Sequence, residues 1–400
     1  MTFEQNTSLP SLQELNFDFK PRTRVISGVN CVEKLGDLAR QNSGAGRVLL
    51  VTDAGVAAAG HVARVVQLLE KAGLQVTVFD QSEQNPSTRC VNKCVETARA
   101  SNVDLIIGLG GGSSLDTAKG CNFILTNGGS MKDYWGVGKA RQPMLTFIAI
   151  PTTAGTGSEM QSFAIISDEH THQKMACGDS KAAAFAAFLD PSLTLSQPPM
   201  VTACAGLDAL AHAIETAVCK QRNALSLMFS REAFRLGAMA LPTILRNPHD
   251  LVARGQMLLA AAWAGLAIEK SMLGAAHASA NPLTAHYNIT HGLAVAIMLP
   301  WVIRFNASVP AAADGYRQLA NLMDNAFLNT GDDASEKLAR CLEELLDLAT
   351  LPRTLKALGV NKKDIPKLAV EANKQWTAVF NPKSVSVSEF EKLYESAFGH

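Results

Sequence analysis

The chain has 400 residues, more than a single hydrophobic core usually serves, so two domains are expected. Its 36 basic and 36 acidic residues cancel to a formal net charge of zero and are scattered without long runs, which argues against a nucleic-acid partner and favours a small-molecule substrate. Eight cysteines with no CxxC pair suit reduced thiols, so a cytoplasmic location without structural disulfides is expected. The polar N-terminus lacks an apolar signal core, and no apolar run is expected to reach membrane-spanning length, so no membrane partner is expected either.

Residues 1–21 read as a polar N-terminal extension with Leu and Phe side chains available to pack on the body or on a neighbour. From there strand and helix signals alternate. RVLLVTD (47–53), LQVTVFD (74–80), VDLIIGLGGG (103–112) and MLTFIAIPTT (144–153) are short apolar runs, and amphipathic stretches through HVARVVQLLEKAG and CVNKCVETARA separate the first three. Continuous apolar strands joined by helices predict a parallel sheet covered on both faces, a dinucleotide-binding α/β domain over 22–198. FAIISDEHTHQKMACGD reads as a hairpin. Beyond the Pro-rich stretch ending near 200, SREAFRLGAMALPTIL, QMLLAAAWAGLAI and LARCLEELLDLATL carry apolar residues at three- and four-residue spacing. The domain over 199–400 is therefore expected to be nearly all helix.

In LIIGLGGGSSLDTAKG a strand ends on Gly110, Gly111 and Gly112, and Ser113 and Ser114 fall where a helix N-cap is expected. Glycines let a backbone approach a pyrophosphate, and the free N–H groups at a helix start attract it, although a plain strand-to-helix turn also favours glycine. The spacing is not GxGxxG. PTTAGTGSE (151–159), rich in glycine and hydroxyls after a strand, fits either a cofactor-lining loop or a simple turn. Asp53, at the end of the 47–53 run, fits either an acceptor for ribose hydroxyls that favours NAD over NADP or a helix cap. In MKDYWGVGK (131–139), Tyr134 and Trp135 are either substrate-wall residues or packing.

Asp208 and His212 stand four apart in GLDALAHAIE (206–215), on one face of a predicted helix, and His277 and His291 follow in AHASANPLTAHYNITHG. A lone histidine in an apolar stretch is usually a core residue. One carboxylate and three imidazoles together make a ligand set suited to Fe²⁺ or Zn²⁺, and such a centre with an open position polarises a substrate oxygen.

With these segments together, the chain resembles the iron-containing (group III) alcohol dehydrogenases, the family that includes lactaldehyde reductase and 1,3-propanediol dehydrogenase. The resemblance spans about residues 22–398 and rests on GGGSSLDTAK, PTTAGTGSE, GLDALAHAIE and the stretch from His277 to the HG at 291–292. It implies a dehydroquinate synthase-like fold, a nucleotide in a cleft between the two domains, and a homodimer. It implies a divalent metal, Fe²⁺ before Zn²⁺, on Asp208, His212, His277 and His291. It further implies cofactor contacts from Asp53, Asn85, Gly110, Gly111, Gly112, Ser113, Ser114, Asp116, Thr152, Thr153 and Thr156.

One position departs from the family pattern. Four residues after His277, where a further histidine is common, this chain has Asn281, which hydrogen-bonds but does not titrate near neutrality. Asn281 and His286 are the catalytic candidates, His286 either taking over a proton-relay role or shaping a polar pocket. The expected reaction is hydride transfer between NAD(H) and a small, polar alcohol or aldehyde. The competing readings are a hydroxyacid–oxoacid transhydrogenase, a lyase of the dehydroquinate synthase type, and a non-catalytic NAD- and metal-binding protein.

Overall fold

A computed structural model describes residues 12, 14–171, 173–323 and 333–399. Its strands are β1 Arg24–Ser27, β2 Arg47–Val51, β3 Gln75–Phe79, β4 Leu105–Gly110, β5 Gly136–Val137, β6 Thr146–Pro151, β7 Phe163–Ser167, β8 Lys174–Gly178 and β9 Ala186–Leu189. The first helices are α1 Leu35–Asn42, α2 Ala54–Ala58, α3 His61–Lys71, α4 Thr88–Ala100 and α5 Gly112–Asn127. After them come α6 Pro199–Val218, α7 Ala224–Arg246, α8 Leu251–Lys270, α9 Ala275–Tyr287, α10 His291–Asn306, α11 Pro310–Ala320, α12 Ala334–Leu348, α13 Ile365–Asn373 and α14 Val387–Phe398.

The chain divides into two compact units. One comprises Lys20–Pro198 with His249–Gly265; the other comprises Met1–Phe19, Pro199–Pro248 and Leu266–His400. Residues 249–265 thus group with the α/β unit, a departure from the expected boundary at 198/199 that helical periodicity alone does not reveal.

The α/β unit is built on a six-stranded sheet of order β1-β9-β6-β4-β2-β3, parallel throughout. Alternate residues of β2, β4 and β6 enter different cores. Leu49, Val51, Ile106, Phe147 and Ala149 join one cluster with α4 and α5, whereas Val48, Leu50, Ile107, Ile148 and Ile150 join another with α1 and α3. A sheet buried on both faces explains why these strands read as unbroken apolar runs. The predicted hairpin is present as antiparallel β7 and β8, in a second sheet of order β5-β8-β7. The chain runs from β2 outward to β3 and then returns to β4 on the other side of β2, so the loops after β2 and β4 diverge at a switch point. Tyr134 is buried, packs on Phe123 at 5.2 Å between ring centroids and donates its hydroxyl to the Gly128 carbonyl at 2.6 Å, which identifies it as packing; Trp135 is exposed.

The second unit is helical. Its helix α6, and helix α8, most of which groups with the α/β unit, are each 20 residues long and apolar enough to cross a membrane by length and composition, contrary to the expectation that no apolar run reaches that length. Their most apolar windows are 89% and 61% buried inside the protein, so core packing accounts for their composition. The N-terminal segment packs here: the Ala224 N–H donates to the Glu14 carbonyl at 2.8 Å, Glu14 pairs with Arg222 at 2.9 Å, and Phe19 meets Phe229 at 6.2 Å between ring centroids. All eight cysteines are buried free thiols.

Candidate active site

Two sites emerge, one in each unit. In the α/β unit the loops expected to meet a nucleotide come together. Gly110 adopts φ +149, and a Cβ there would lie 2.5 Å from Ser114 Oγ; a Cβ on Gly112 would lie 2.6 Å from Thr156 Cγ2, and one on Gly111 3.3 Å from Thr153. The glycines are therefore required by close packing of the β4 loop against Ser114 and the 151–159 loop. The Thr152 N–H donates to the Gly110 carbonyl at 3.0 Å, and the Asn85 N–H donates to Ser113 Oγ at 3.3 Å from a left-handed backbone (φ 52).

Asp53 caps α2, accepting from the Val56 N–H at 3.0 Å, and its other oxygen accepts the Ser114 hydroxyl at 3.0 Å. The capping reading is the one with an observed bond, and the Ser114 bond ties Asp53 to the Gly loop across the switch point.

Two expectations are corrected here. The N-cap of α5 is Gly111, not Ser113 or Ser114, because the helix begins at Gly112 and both serine hydroxyls are spent on Asn85 and Asp53. Asp116 faces inward, both of its oxygens bonded within the protein: they accept from the Ser158 hydroxyl at 2.6 Å and the Ile165 N–H at 3.2 Å. Burial raises its carboxyl, opposed by the ammonium of Lys119. Lys119, fully buried, donates to the Ser158 carbonyl and hydroxyl and to the Phe163 carbonyl at 2.6–2.8 Å. A buried ammonium is tolerated only with such full hydrogen bonding, and here it fixes the end of the 151–159 loop.

In the helical unit, α6 carries Asp208, His212 and Glu215 at i, i+4 and i+7, one face of the helix. His277 lies in the first turn of α9 and His291 opens α10. The ligand atoms of Asp208, His277 and His291 lie within 4.8 Å of one another. Asp208 Oδ1 is 3.5 Å from His277 Nε2 and 3.6 Å from His212 Nε2, and the His212 and His277 rings stack at 4.8 Å between centroids. His291 lies against His277 at 5.5 Å between centroids.

Asp208 Oδ1 and His277 Nε2 are buried without a hydrogen-bond partner among the described residues. Buried polar atoms are normally paired. A separation of 3.5 Å is too long for a good hydrogen bond, yet it is about what two ligands show when each sits ~2.1 Å from one ion. Burial pushes the Asp208 carboxyl up, but the imidazoles of His212, His277 and His291 outweigh it and hold the group well below the usual carboxylate range. Cys204, one turn before Asp208, is pushed up to about 11 by burial and remains a neutral thiol.

The packing that assembles this cluster is specific. A Cβ on Gly292 would lie 2.1 Å from the Cys204 carbonyl oxygen and 3.3 Å from Asp208 Cβ, so only glycine lets the start of α10 reach α6 and bring His291 to Asp208. Glu215 Oε2 meets His277 Nδ1 at 2.5 Å, and Glu215 Oε1 accepts from the Ala276 N–H at 2.8 Å. Asn381 Oδ1 accepts from the Ala275 N–H at 3.2 Å. Two of the orphan donors at the start of α9 are thus satisfied by side chains from elsewhere in the fold, and the carboxylate lies where the helix dipole favours it. With Nδ1 donating to Glu215, Nε2 is the ring nitrogen of His277 that faces Asp208. Sequence reading missed this role of Glu215, although the i+7 spacing from Asp208 was visible within GLDALAHAIE.

His286 is placed elsewhere. Nine residues after His277, it leaves α9 about 180° round the helix, and its Nε2 lies 2.6 Å from Glu371 Oε2. There His286 ties α9 to α13. Asn281, four residues after His277, stays on the ligand face, where its Nδ2 donates to Gln375 Oε1 at 3.0 Å.

Burial alone would lower the His277 pKa, but the carboxylates of Glu215 and Asp208 overcome this and raise it to about 9. Without metal, His277 therefore carries a proton at neutral pH, and a metal ion at Nε2 must displace it. Metal affinity is expected to rise by up to ~10-fold per pH unit as pH approaches about 9 and to level off above it. Co²⁺ titrations at several pH values measure this. Glu215→Gln removes the charge that raises the imidazole, so the levelling point should move to lower pH while affinity falls ~10- to 100-fold at high pH. An unchanged pH profile in that variant would show that Glu215 does not act on the ligand.

The model described as iron-containing alcohol dehydrogenase matches residues 21–191, and that of the C-terminal part of the Fe-containing alcohol dehydrogenase family matches residues 202–398. Alcohol dehydrogenase 4 of Saccharomyces cerevisiae (strain YJM789) is 34% identical over 372 residues, covering 92% of this chain and 96% of that protein. The NAD-dependent methanol dehydrogenase of Bacillus methanolicus is 32% identical over 380 residues, covering 95% of this chain and 99% of that one. A crystal structure of a 1,3-propanediol oxidoreductase superposes with a TM-score of 0.91 at 31% identity, covering 96% of this chain and 100% of that one. These matches span both units, and the chain belongs to the iron-containing alcohol dehydrogenase family.

Proposed function

We propose that the protein is a metal-dependent, NAD(H)-linked alcohol dehydrogenase or aldehyde reductase acting on a small alcohol or aldehyde. The observation that carries this reading is the buried meeting of Asp208 Oδ1 and His277 Nε2, two atoms with no hydrogen bond of their own at a spacing that suits one ion. Asp208, His277 and His291 hold the metal, with His212 as the fourth ligand. The donor set, imidazoles and a carboxylate without thiolate, suits Fe²⁺ first and Zn²⁺ second. When bound, the metal supplies Lewis-acid polarisation of the substrate oxygen, and the nicotinamide supplies or accepts the hydride.

The chain's own residues prepare that chemistry. Glu215 holds the His277 tautomer, and the burial of Asp208, His212 and His277 keeps bulk water from competing for the ligands. Gly111, Gly112, Thr153 and Thr156 shape the dinucleotide loop, whose helix start favours an anion. Asp53 keeps lone pairs for ribose hydroxyls and repels a 2′-phosphate, which favours NAD over NADP. Buried free thiols suit a reducing compartment, and a cytoplasmic homodimer completes the proposal.

The test is turnover of the anaerobically Fe²⁺-loaded protein with a panel of short aldehydes and alcohols, using NADH and NADPH in turn. NAD-linked turnover that exceeds NADP-linked turnover is expected. No turnover with either nucleotide would overturn the reading, and a nucleotide that cannot be removed on purification would point to a transhydrogenase.

A further inference from the structure

Helix α8 meets the 151–159 loop at two points, both within the α/β unit. Near the end of the loop, Gly157 adopts φ +63 and lays its backbone on the helix: a Cβ there would lie 2.5 Å from the Ala261 carbonyl oxygen and 2.7 Å from Gly265 Cα. At the start of the loop the contact is polar. Arg254 of α8 is buried and donates from Nη1 to Gln197 Oε1 at 3.1 Å, and Gln197 Nε2 donates to the Thr152 carbonyl at 2.6 Å. A guanidinium can only donate and a backbone carbonyl can only accept, so these two partners fix the Gln197 amide in one orientation.

Thr152 is thereby held on both sides, its N–H by the Gly110 carbonyl at 3.0 Å and its carbonyl by Gln197. In a planar trans peptide the carbonyl of one residue and the N–H of the next point in opposite directions. With the Thr152 carbonyl turned to Gln197, the Thr153 N–H is aimed away from it. That N–H has no hydrogen-bond partner among the described residues, and neither have the N–H groups of Gly112 and Ser113 in the first turn of α5. These donors lie on the two loops that follow the adjacent parallel strands β4 and β6, beside the switch point, where an anion is favoured.

We propose that Arg254 and Gln197 are positioning residues for the nucleotide: they set the Thr152–Thr153 peptide so that the Thr153 N–H donates to the pyrophosphate. The inference rests on the dehydrogenase reading above, and it requires neither side chain to touch the cofactor. A donor that is already aimed needs no reordering when the anion arrives, whereas a peptide free to turn must be ordered on binding.

The test is calorimetric titration of the Fe²⁺-loaded protein with ADP-ribose, which carries the pyrophosphate, and with adenosine, which lacks it. Gln197→Glu has nearly the same shape and keeps an acceptor for Arg254, but it sets an oxygen against the Thr152 carbonyl. It is expected to weaken ADP-ribose binding about 10-fold and adenosine binding by less than about 2-fold. The KM for NADH should rise by a similar factor, with a much smaller change in kcat. Gln197→Leu should show the same pattern. Arg254→Met should weaken ADP-ribose binding in the wild type and add nothing in the Gln197→Leu background, because Arg254 acts through Gln197; a fall in Tm common to both backgrounds leaves that comparison intact. Unchanged ADP-ribose affinity in Gln197→Glu, equal losses for the two ligands, or a full further loss from Arg254→Met in the Gln197→Leu background would overturn the inference and leave the dehydrogenase reading standing. A wild type that binds ADP-ribose and NADH but reduces no aldehyde would overturn the dehydrogenase reading alone, and one that binds neither would overturn both.

Discussion

Asp208→Ala will bind Fe²⁺ or Zn²⁺ more weakly than the wild type by more than the roughly 100-fold that loss of an outer-shell partner costs, and its NAD-linked turnover will fall by at least about 1,000-fold. Asp208 lies where the ligand set converges, with Oδ1 3.5 Å from His277 Nε2 and 3.6 Å from His212 Nε2. It is the carboxylate of the cluster whose oxygen has no internal partner, since both oxygens of Glu215 are spent on His277 and Ala276. Removing it leaves imidazoles without an anionic ligand and the metal's charge uncompensated in a buried site. Metal content by mass spectrometry and the rise in Tm on adding metal both report the loss: the wild type should gain stability with metal and the variant should not. A variant that keeps full metal content and turnover would mean that the ion is held elsewhere.

Gly292→Ala is the second large effect. The added Cβ would lie 2.1 Å from the Cys204 carbonyl oxygen and 2.8 Å from its carbon, and backbone atoms of a buried helix cannot give way as a flexible side-chain tip can. The start of α10 must move away from α6 and carry His291 with it. A loss of about 3 kcal/mol in stability is expected, since overpacking at a backbone contact lies at the upper end of such costs. Metal affinity should fall in parallel because His291 leaves Asp208. The contrasting control is Gly206→Ala, where the new Cβ would meet the end of the Leu241 side chain at 2.5 Å, a neighbour that can rotate. Gly292→Ala with wild-type Tm and metal affinity would show that α10 is not held to α6 by this contact.

Much of this was legible in the chain because it is local. The strands at 47–51, 105–110 and 146–151 announce themselves because both faces of the central sheet are buried there, whereas the edge strand at 75–79 is only partly buried and alternates with Gln75 and Thr77. Asp208 and His212 are visible as a pair because helical spacing of four places them on one face. What escaped depends on contacts distant in sequence. Glu215 becomes a partner of the metal site only when His277, 62 residues on, is folded against it. Asp116 sits in a cofactor-like motif, but the 151–159 loop and β7 turn it inward onto Ser158 and Ile165. His286 is close to His277 in sequence but opposite to it on the helix, and its bond to Glu371, 85 residues on, is not visible from the helical period alone. The departure at Asn281 was visible at once; its bond to Gln375, 94 residues away, was not.

The most direct measurement is anaerobic titration of metal-free protein with Fe²⁺, following NADH-dependent reduction of a short aldehyde and bound metal in the same samples. Turnover should grow in step with bound metal, saturate at one ion per chain, and be absent at every metal level in Asp208→Ala. Turnover that is already complete in the metal-free protein, or that persists in Asp208→Ala, would contradict the assignment of this buried cluster as the catalytic metal centre.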